Sequence, residues 1–337
     1  MDNIYLNNLK DRVFVIAEIG NNHEGCFERC LGLIDEAKNC GVDAIKLQTY
    51  DPDLFYDRDQ KQRILQLKNF SLKKDELIEI KKHCDKKRIH FFSTPFDIES
   101  AKFLNSIQSF FKIASGDNNY LDLIDTVLLF NKPVLISTGL ADHKQIEKIY
   151  NHVCQRWKKM SKKKFLVLLH CVSSYPVVPN EANLLAIKTL KKKFPGIEIG
   201  YSDHCEGIQS AILAVALGAR VIEKHFTDDK NYSDYRDHKL SADPSEMKKL
   251  VGFIRESEKM MGDGKLKISD SEIINLLPTR RSMAAKRFIP KETIISYDDI
   301  MWVRPGDGIT EKNKVVGKKS LKDIEKGHKF SLKDFFS

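Results

Sequence analysis

The 337-residue sequence has no run of apolar residues approaching the roughly 20 that a membrane-spanning helix needs. Its start, Met1-Asp2-Asn3-Ile4-Tyr5, shows no basic segment followed by an apolar stretch, so a cytoplasmic protein with no membrane partner is expected. Cysteine is sparse: the seven residues (Cys26, Cys30, Cys40, Cys84, Cys154, Cys171, Cys205) are odd in number and contain no Cys-x-x-Cys pair. That excludes a disulfide framework and a structural zinc site of ordinary spacing, and points to reduced, structural thiols. Only 17 glycines and 10 prolines accompany 42% hydrophobic and 31% charged residues, which excludes a disordered or fibrous chain.

Acidic residues are the minority charge, leaving a formal net charge of +9. Much of the excess sits in short runs, Lys158-Lys159, Lys162-Lys163-Lys164 and Lys191-Lys192-Lys193. None has the interleaved aromatics of a single-strand groove, so these read as solvated faces and no nucleic-acid partner is expected. A small anionic substrate is compatible with the charge.

What the sequence has is alternation. Short β-branched and apolar runs at 13–19, 44–47, 89–92, 110–113, 134–136, 165–169, 197–200 and 220–224 are separated by segments of helical period, among them 27–40, 74–87 and 207–217. Eight strands with crossover helices predict an α/β fold, a (β/α)8 TIM barrel. Residues 244–261 read as a closing helix between Pro244 and Gly262. Residues 266–279 then read as a linker, and 280–337 as a small β-rich domain. The barrel domain is accordingly 1–265.

In such a barrel, chemistry gathers at the C-terminal strand ends. These carry Glu18 to Glu24, Lys46 with Gln48 and Thr49, Ser93-Thr94, Lys112 with Ser115 and Asp117, Ser137-Thr138, His170 to Tyr175, Ser202-Asp203-His204, and Glu223-Lys224-His225. Lys46 and Lys112 in apolar contexts, with Thr94, Ser115, Ser137 and Ser202, form either a cradle for a phosphate or carboxylate or internal ion pairs with residues such as Glu18. His204 and His225 end adjacent strands and can converge on a divalent metal beside Glu18 and Asp237, the alternative being satisfied core histidines. Two nitrogens with oxygen ligands suit Mn²⁺, Mg²⁺ or Co²⁺ alike. His23, His170 and His238 are as well explained by loop capping or by plugging the barrel top.

These residues resemble a known family, the sialic acid (nonulosonate) synthases. The likeness is carried by Ala17-Glu18-Ile19-Gly20-Asn21-Asn22-His23-Glu24-Gly25, Ser93-Thr94-Pro95-Phe96, Lys112-Ile113-Ala114-Ser115-Gly116, Tyr201-Ser202-Asp203-His204 and Glu223-Lys224-His225-Phe226. The tail, with Trp302-Val303-Arg304-Pro305-Gly306-Asp307-Gly308, looks like the antifreeze-like (SAF, β-clip) domain of those enzymes. The resemblance implies metal-assisted condensation of phosphoenolpyruvate with the open-chain aldehyde of an N-acyl hexosamine, releasing phosphate. It implies that Lys46, Thr94, Lys112, Ser115, Ser137 and Ser202 hold phosphoenolpyruvate. Tyr175, Asp117, Asp237 and Arg304 would face the sugar, and Glu18 would manage water or proton movement; Glu18, Lys112, Asp117 and Asp237 are the implied catalytic set. It further implies a domain-swapped homodimer that brings Arg304 to the partner's substrate.

Three departures fall on the sugar side: Asp117 where many members carry Glu, a short stretch from Tyr50 to Phe70, and Ser233-Asp234-Tyr235-Arg236-Asp237-His238 in place of a Gly-Pro-Asp pattern. The competing readings are a related phosphoenolpyruvate-dependent 3-deoxy-keto-acid synthase and a non-catalytic spore-coat relative.

Overall fold

The computed structural model describes residue 9 and residues 12–160 and 165–335. The first five residues and the run Lys162 to Lys164 lie outside the described residues. The chain divides at Gly262/Asp263 into two compact units.

The first unit contains eight parallel strands: β1 (Phe14–Gly20), β2 (Ala44–Thr49), β3 (His90–Pro95), β4 (Phe111–Ile113), β5 (Val134–Ser137), β6 (Leu166–Cys171), β7 (Glu198–Asp203) and β8 (Val221–His225). The hydrogen-bonded order is β3-β2-β1-β8-β7-β6-β5-β4. The end strands β3 and β4 lie side by side, closing a (β/α)8 TIM barrel. At this seam a side chain substitutes for a ladder: the buried Gln108 amide accepts from Ser93 N–H at 2.8 Å and donates to Ser93 C=O at 3.2 Å. All eight expected strands are present, most running up to three residues further at the C-terminal end. There the strands continue through polar residues that hydropathy alone would assign to loops.

Helices fill the crossovers. Residues 74–87 form the expected helix, and the other two expected helices run Phe27–Asn39 and Gln209–Ala216. The closing helix Pro244–Met261 is capped by Asp243, whose carboxylate accepts from Glu246 N–H at 2.9 Å, and it stops at Gly262, φ 58°. The short stretch after β2 is not bare loop but two helices, Pro52–Phe55 and Lys61–Phe70. The lysines at 158, 159, 191 and 192 are exposed at helix C-terminal ends, where the dipole favours cations. All seven cysteines are free.

Strand parity divides the core. Outward residues such as Val15, Ala17 and Ile45 pack on the helices, while Phe14, Ile16, Ala44, Phe92, Phe110, Leu135, Val167, Leu169 and Val221 plug the barrel axis with Leu9. Gly200 makes this plug possible: a Cβ there would lie 2.3 Å from Leu169 Cδ2 and 2.6 Å from the Val221 carbonyl.

In the second unit, the stretch expected as a linker carries a helix, Asp270–Thr279. Ser269 and Glu272 form a capping box at its start, with Pro278 in its last turn. β9 (Ser282–Ala285) then pairs antiparallel with β10 (Ile300–Val303). Isolated bridges, including Ile289 with Ile324 and Ile294 with Lys319, tie loops around a core of Met283, Ala285, Ile289, Ile295, Val315, Ile324, Phe330 and Phe335. No helix among the described residues is long and apolar enough to cross a membrane.

Candidate active site

The inward parity that makes the plug also builds what lies above it. Two residues beyond Ile16 is Glu18; beyond Ala44, Lys46; beyond Phe92, Thr94; beyond Phe110, Lys112; beyond Leu135, Ser137; beyond Leu169, Cys171; beyond Val221, Glu223 and then His225. These side chains, with Ser115, Ser202, His204, Tyr175, Asp237 and Arg236, line a cavity of about 340 Å³ at the C-terminal end of the barrel. Gly20 lets β1 turn over it. Its φ is +55°, the β1–β2 register shifts between Glu18 and Gly20, and a Cβ there would sit 3.1 Å from both Glu18 Oε1 and Gln48 Nε2.

The chamber floor is a network of buried charges. Lys46 Nζ lies 2.9 Å from Glu18 Oε2, 3.8 Å from Glu223 Oε2 and 3.0 Å from Thr94 Oγ1. Lys112 Nζ donates to Glu223 Oε1 at 2.9 Å, and Ser202 Oγ donates to the same oxygen at 2.8 Å. Burial works against the Glu223 carboxylate, but Lys112 and Lys46 outweigh it and hold its pKa far below the usual range. Burial likewise opposes the Lys46 charge, and Glu18 and Glu223 overcome it and raise its pKa. For Lys112 burial prevails over Glu223, and its pKa falls. Glu18 is pushed up to about 7, by burial above all, so this carboxyl can hold or release a proton near neutrality. Of the two alternatives for the lysines, the internal ion pairs are present, and the same two lysines line the cavity.

One wall is aromatic. The Tyr175 ring stacks on His204, centroids 4.3 Å apart, and meets His225 edge-on at 6.1 Å, while the Arg236 guanidinium covers Tyr175 at 4.5 Å. The two imidazole centroids are 5.4 Å apart. His204 Nδ1 lies 2.8 Å from the Val172 carbonyl; donation there leaves Nε2 as the lone-pair nitrogen. His225 Nδ1 is buried without a hydrogen-bond partner, 4.0 Å from Asp237 Oδ2, and burial followed by the His204 charge holds its pKa well below that of ordinary histidine. Two imidazoles with available nitrogens fit a divalent ion. Among the described residues no third His, Cys, Asp or Glu completes a cluster around them, so further ligands would be oxygens of water or substrate. Ser137 Oγ and Ser173 Oγ are likewise buried in this wall without partners.

One expected site residue of the barrel unit is not in the chamber wall. Asp117 ends the 3₁₀ turn Ser115–Asp117, which carries it past the lining residues Ser115 and Gly116; burial pushes its carboxyl up to about 6. Arg304 lies in the second unit, exposed, just after β10. The three undecided histidines have structural partners. His23 Nδ1 accepts from Gly25 N–H at 3.0 Å, His170 Nε2 lies 2.9 Å from the Ala182 carbonyl, and His238 bridges Thr227 Oγ1 at 2.8 Å and Glu24 Oε1 at 3.2 Å. Sequence reasoning passed over Glu223 and Gln48 as site residues. Both were legible by parity, two residues before His225 and two after Lys46. Gln48 donates to Glu18 Oε1 at 3.0 Å.

Fold and chamber define a class: a TIM-barrel protein with buried lysines, carboxylates and paired imidazoles at its strand ends, followed by a small β-rich unit. The chain belongs to the NeuB family, the sialic acid (nonulosonate) synthases; the family model matches residues 33–266, and the SAF domain model matches residues 280–335. It is 39% identical over 313 residues to the N,N'-diacetyllegionaminic acid synthase of Campylobacter jejuni, covering 89% of this chain and 92% of that one. To a pseudaminic acid synthase of the same species it is 37% identical over 345 residues, covering 97% and 98%. A crystal structure of N-acetylneuraminic acid synthetase from Leptospira borgpetersenii, in complex with citrate, superposes with TM-score 0.73 at 38% identity, covering 78% of this chain and 90% of that one.

Proposed function

We propose that the protein condenses phosphoenolpyruvate with the open-chain aldehyde of an N-acyl hexosamine, giving a nine-carbon α-keto acid and phosphate. The observation that carries this reading is the convergence of Lys46, Lys112 and the hydroxyls of Ser115, Ser137, Thr94 and Ser202 on the cavity that His204 and His225 also line. Ammonium groups and hydroxyl donors in a desolvated chamber are the partners that a phosphate and a carboxylate require.

In the proposed reaction the methylene carbon of phosphoenolpyruvate attacks the aldehyde carbon, forming the C–C bond, and the aldehyde oxygen takes up a proton. Water adds to C2 and loses a proton, and collapse of the tetrahedral carbon breaks the C–O bond to phosphate. Lys46 and Lys112 orient the donor and offset its charge, with Glu223 holding both ammonium groups in place. Glu18, at the mouth of β1 with its proton affinity near neutral, accepts the proton of the attacking water. Tyr175, Asp237 and Arg236 border the side where the sugar enters. His204 and His225 would hold a divalent ion (Mn²⁺, Mg²⁺ or Co²⁺), which when bound supplies Lewis acidity toward the acceptor carbonyl. Arg304, carried by the second unit, is assigned to the acceptor of the partner subunit in a domain-swapped homodimer. Support comes from the helix Asp270–Thr279, which buries none of its residues and exposes Ile273, Ile274 and Leu277.

The test is phosphate release from phosphoenolpyruvate with Mn²⁺, across N-acetylmannosamine, the two diacetamido-trideoxyhexoses, mannose and arabinose 5-phosphate, with and without chelator. Chelator-sensitive release with an N-acyl amino sugar is the expected result. Release with arabinose 5-phosphate alone would replace it with the 3-deoxy-keto-acid synthase reading.

A further inference from the structure

We propose that Asp203 and Lys224, which face away from the chamber, are positioning residues that set the separation of His204 and His225. The inference rests on the reading that these histidines hold a divalent ion.

The β7–β8 ladder ends where it is needed most. Its last paired residues are Asp203 and Lys224, and β7 itself ends at Asp203, so His204 lies one residue beyond regular pairing to the strand that carries His225. By parity, 204 and 225 point inward and 203 and 224 outward. Asp203 and Lys224 are fully buried between strands and helices, 0% exposed, with Lys224 Nζ 3.1 Å from Asp203 Oδ2. A buried pair of this kind is costly to desolvate and is not needed for a helix-facing position that apolar residues fill elsewhere in the barrel.

Their remaining bonds show what they hold. Asp203 Oδ1 accepts from Cys205 N–H at 2.9 Å, and Lys224 Nζ donates to the Cys205 carbonyl. Both backbone polar groups of the residue after His204 are thus fixed by the residue before His204 and the residue before His225. Ser210, from the helix Gln209–Ala216, donates to Asp203 Oδ2 at 2.8 Å and steadies the carboxylate. Where the ladder stops, this outer clamp replaces it and couples the two imidazole-bearing backbones. Two imidazoles that share one ion need their separation fixed to within about 0.5 Å, and such a restraint supplies it.

The experiment measures Mn²⁺ binding to the full-length protein by electron paramagnetic resonance, beside thermal unfolding. It compares the wild type, the neutral double variant Asp203→Asn/Lys224→Met, Ser210→Ala and His225→Ala. The double variant is expected to fold cooperatively and to bind Mn²⁺ about 10-fold or more weakly; Ser210→Ala is expected to bind about 2- to 3-fold more weakly. A purely structural pair would move the unfolding midpoint and leave Mn²⁺ affinity alone. Wild-type affinity in a folded double variant, with binding lost in His225→Ala, overturns the clamp and keeps the metal reading. Should the double variant fail to fold, unchanged affinity in Ser210→Ala overturns it. If the wild type and His225→Ala both fail to bind Mn²⁺, the metal reading falls and the clamp with it.

Discussion

The lower and upper halves of the barrel axis are made by the same eight strands under the same parity, yet one is packed with apolar side chains and the other is charged. Below, Phe14, Ile16, Phe92, Phe110, Leu135, Val167 and Leu169 interdigitate with no polar atom among their side chains. Above, one inward position further along each strand, Lys46, Lys112, Glu18 and Glu223 are just as buried. The lower half gains hydrophobic free energy; the upper half spends part of it to keep charges out of water. On the proposed function one end of the barrel carries stability and the other chemistry, and a substitution should reveal which end it touches.

The sharpest break is at the top. Lys112→Ala should reduce phosphate release from phosphoenolpyruvate by about 10²–10³-fold or more while leaving thermal unfolding cooperative, because Glu223 keeps Lys46 as a partner at 3.8 Å. The mirror experiment is at the bottom. Phe92→Ala, at a fully buried ring 4.4 Å from that of Phe110, should cost about 3–5 kcal/mol in denaturant unfolding yet leave the Michaelis constant for phosphoenolpyruvate unchanged where the protein is folded. A large rise in that constant would show that the plug and chamber are not separable.

A third comparison is made by pH. Burial lowers the pKa of His23 from 6.5 to about 4. Between these values the unfolded chain binds a proton that the folded chain does not, so stability is full above about pH 6.5 and falls as pH drops toward 4, by about 3 kcal/mol in total. Glu18 and Asp117, whose raised pKa values act in the opposite sense, are common to both proteins, so the difference in urea midpoint between wild type and His23→Gln from pH 7.5 to 4.5 should track the His23 loss. The smallest effect expected is on the second unit. Arg304→Ala should raise the Michaelis constant for the sugar about 10-fold, roughly the worth of one charged hydrogen bond, without changing that for phosphoenolpyruvate. Equal effects on both substrates would remove Arg304 from the acceptor side.

Much of this was legible before any coordinates. The eight apolar runs and their helices predict the barrel because period and count are properties of the chain itself. The lysines, hydroxyls and histidines are readable because strand ends are where a barrel places its chemistry. Glu223 and Gln48 are legible as site residues only when the inward parity is followed through the strand, two residues before His225 and two after Lys46. Asp117 could not be placed, since a single 3₁₀ turn carries it past the wall. The helix in the presumed linker was hidden by exposed apolar residues, Ile273, Ile274 and Leu277, that have no stripe against their own unit.

By itself, then, the sequence determined the barrel, its inward and outward faces and the residue types crowning each strand, because alternation and length act locally along the chain. Tertiary structure alone decided which charges meet: that Glu223 reaches Lys112 from the far side of the barrel, that Gln108 closes the β3–β4 seam, and that Cys205 is held at both its N–H and its carbonyl. Those pairings join residues far apart in sequence, and they exist only once closure of the sheet brings strand ends within hydrogen-bond distance in a medium that no longer screens them.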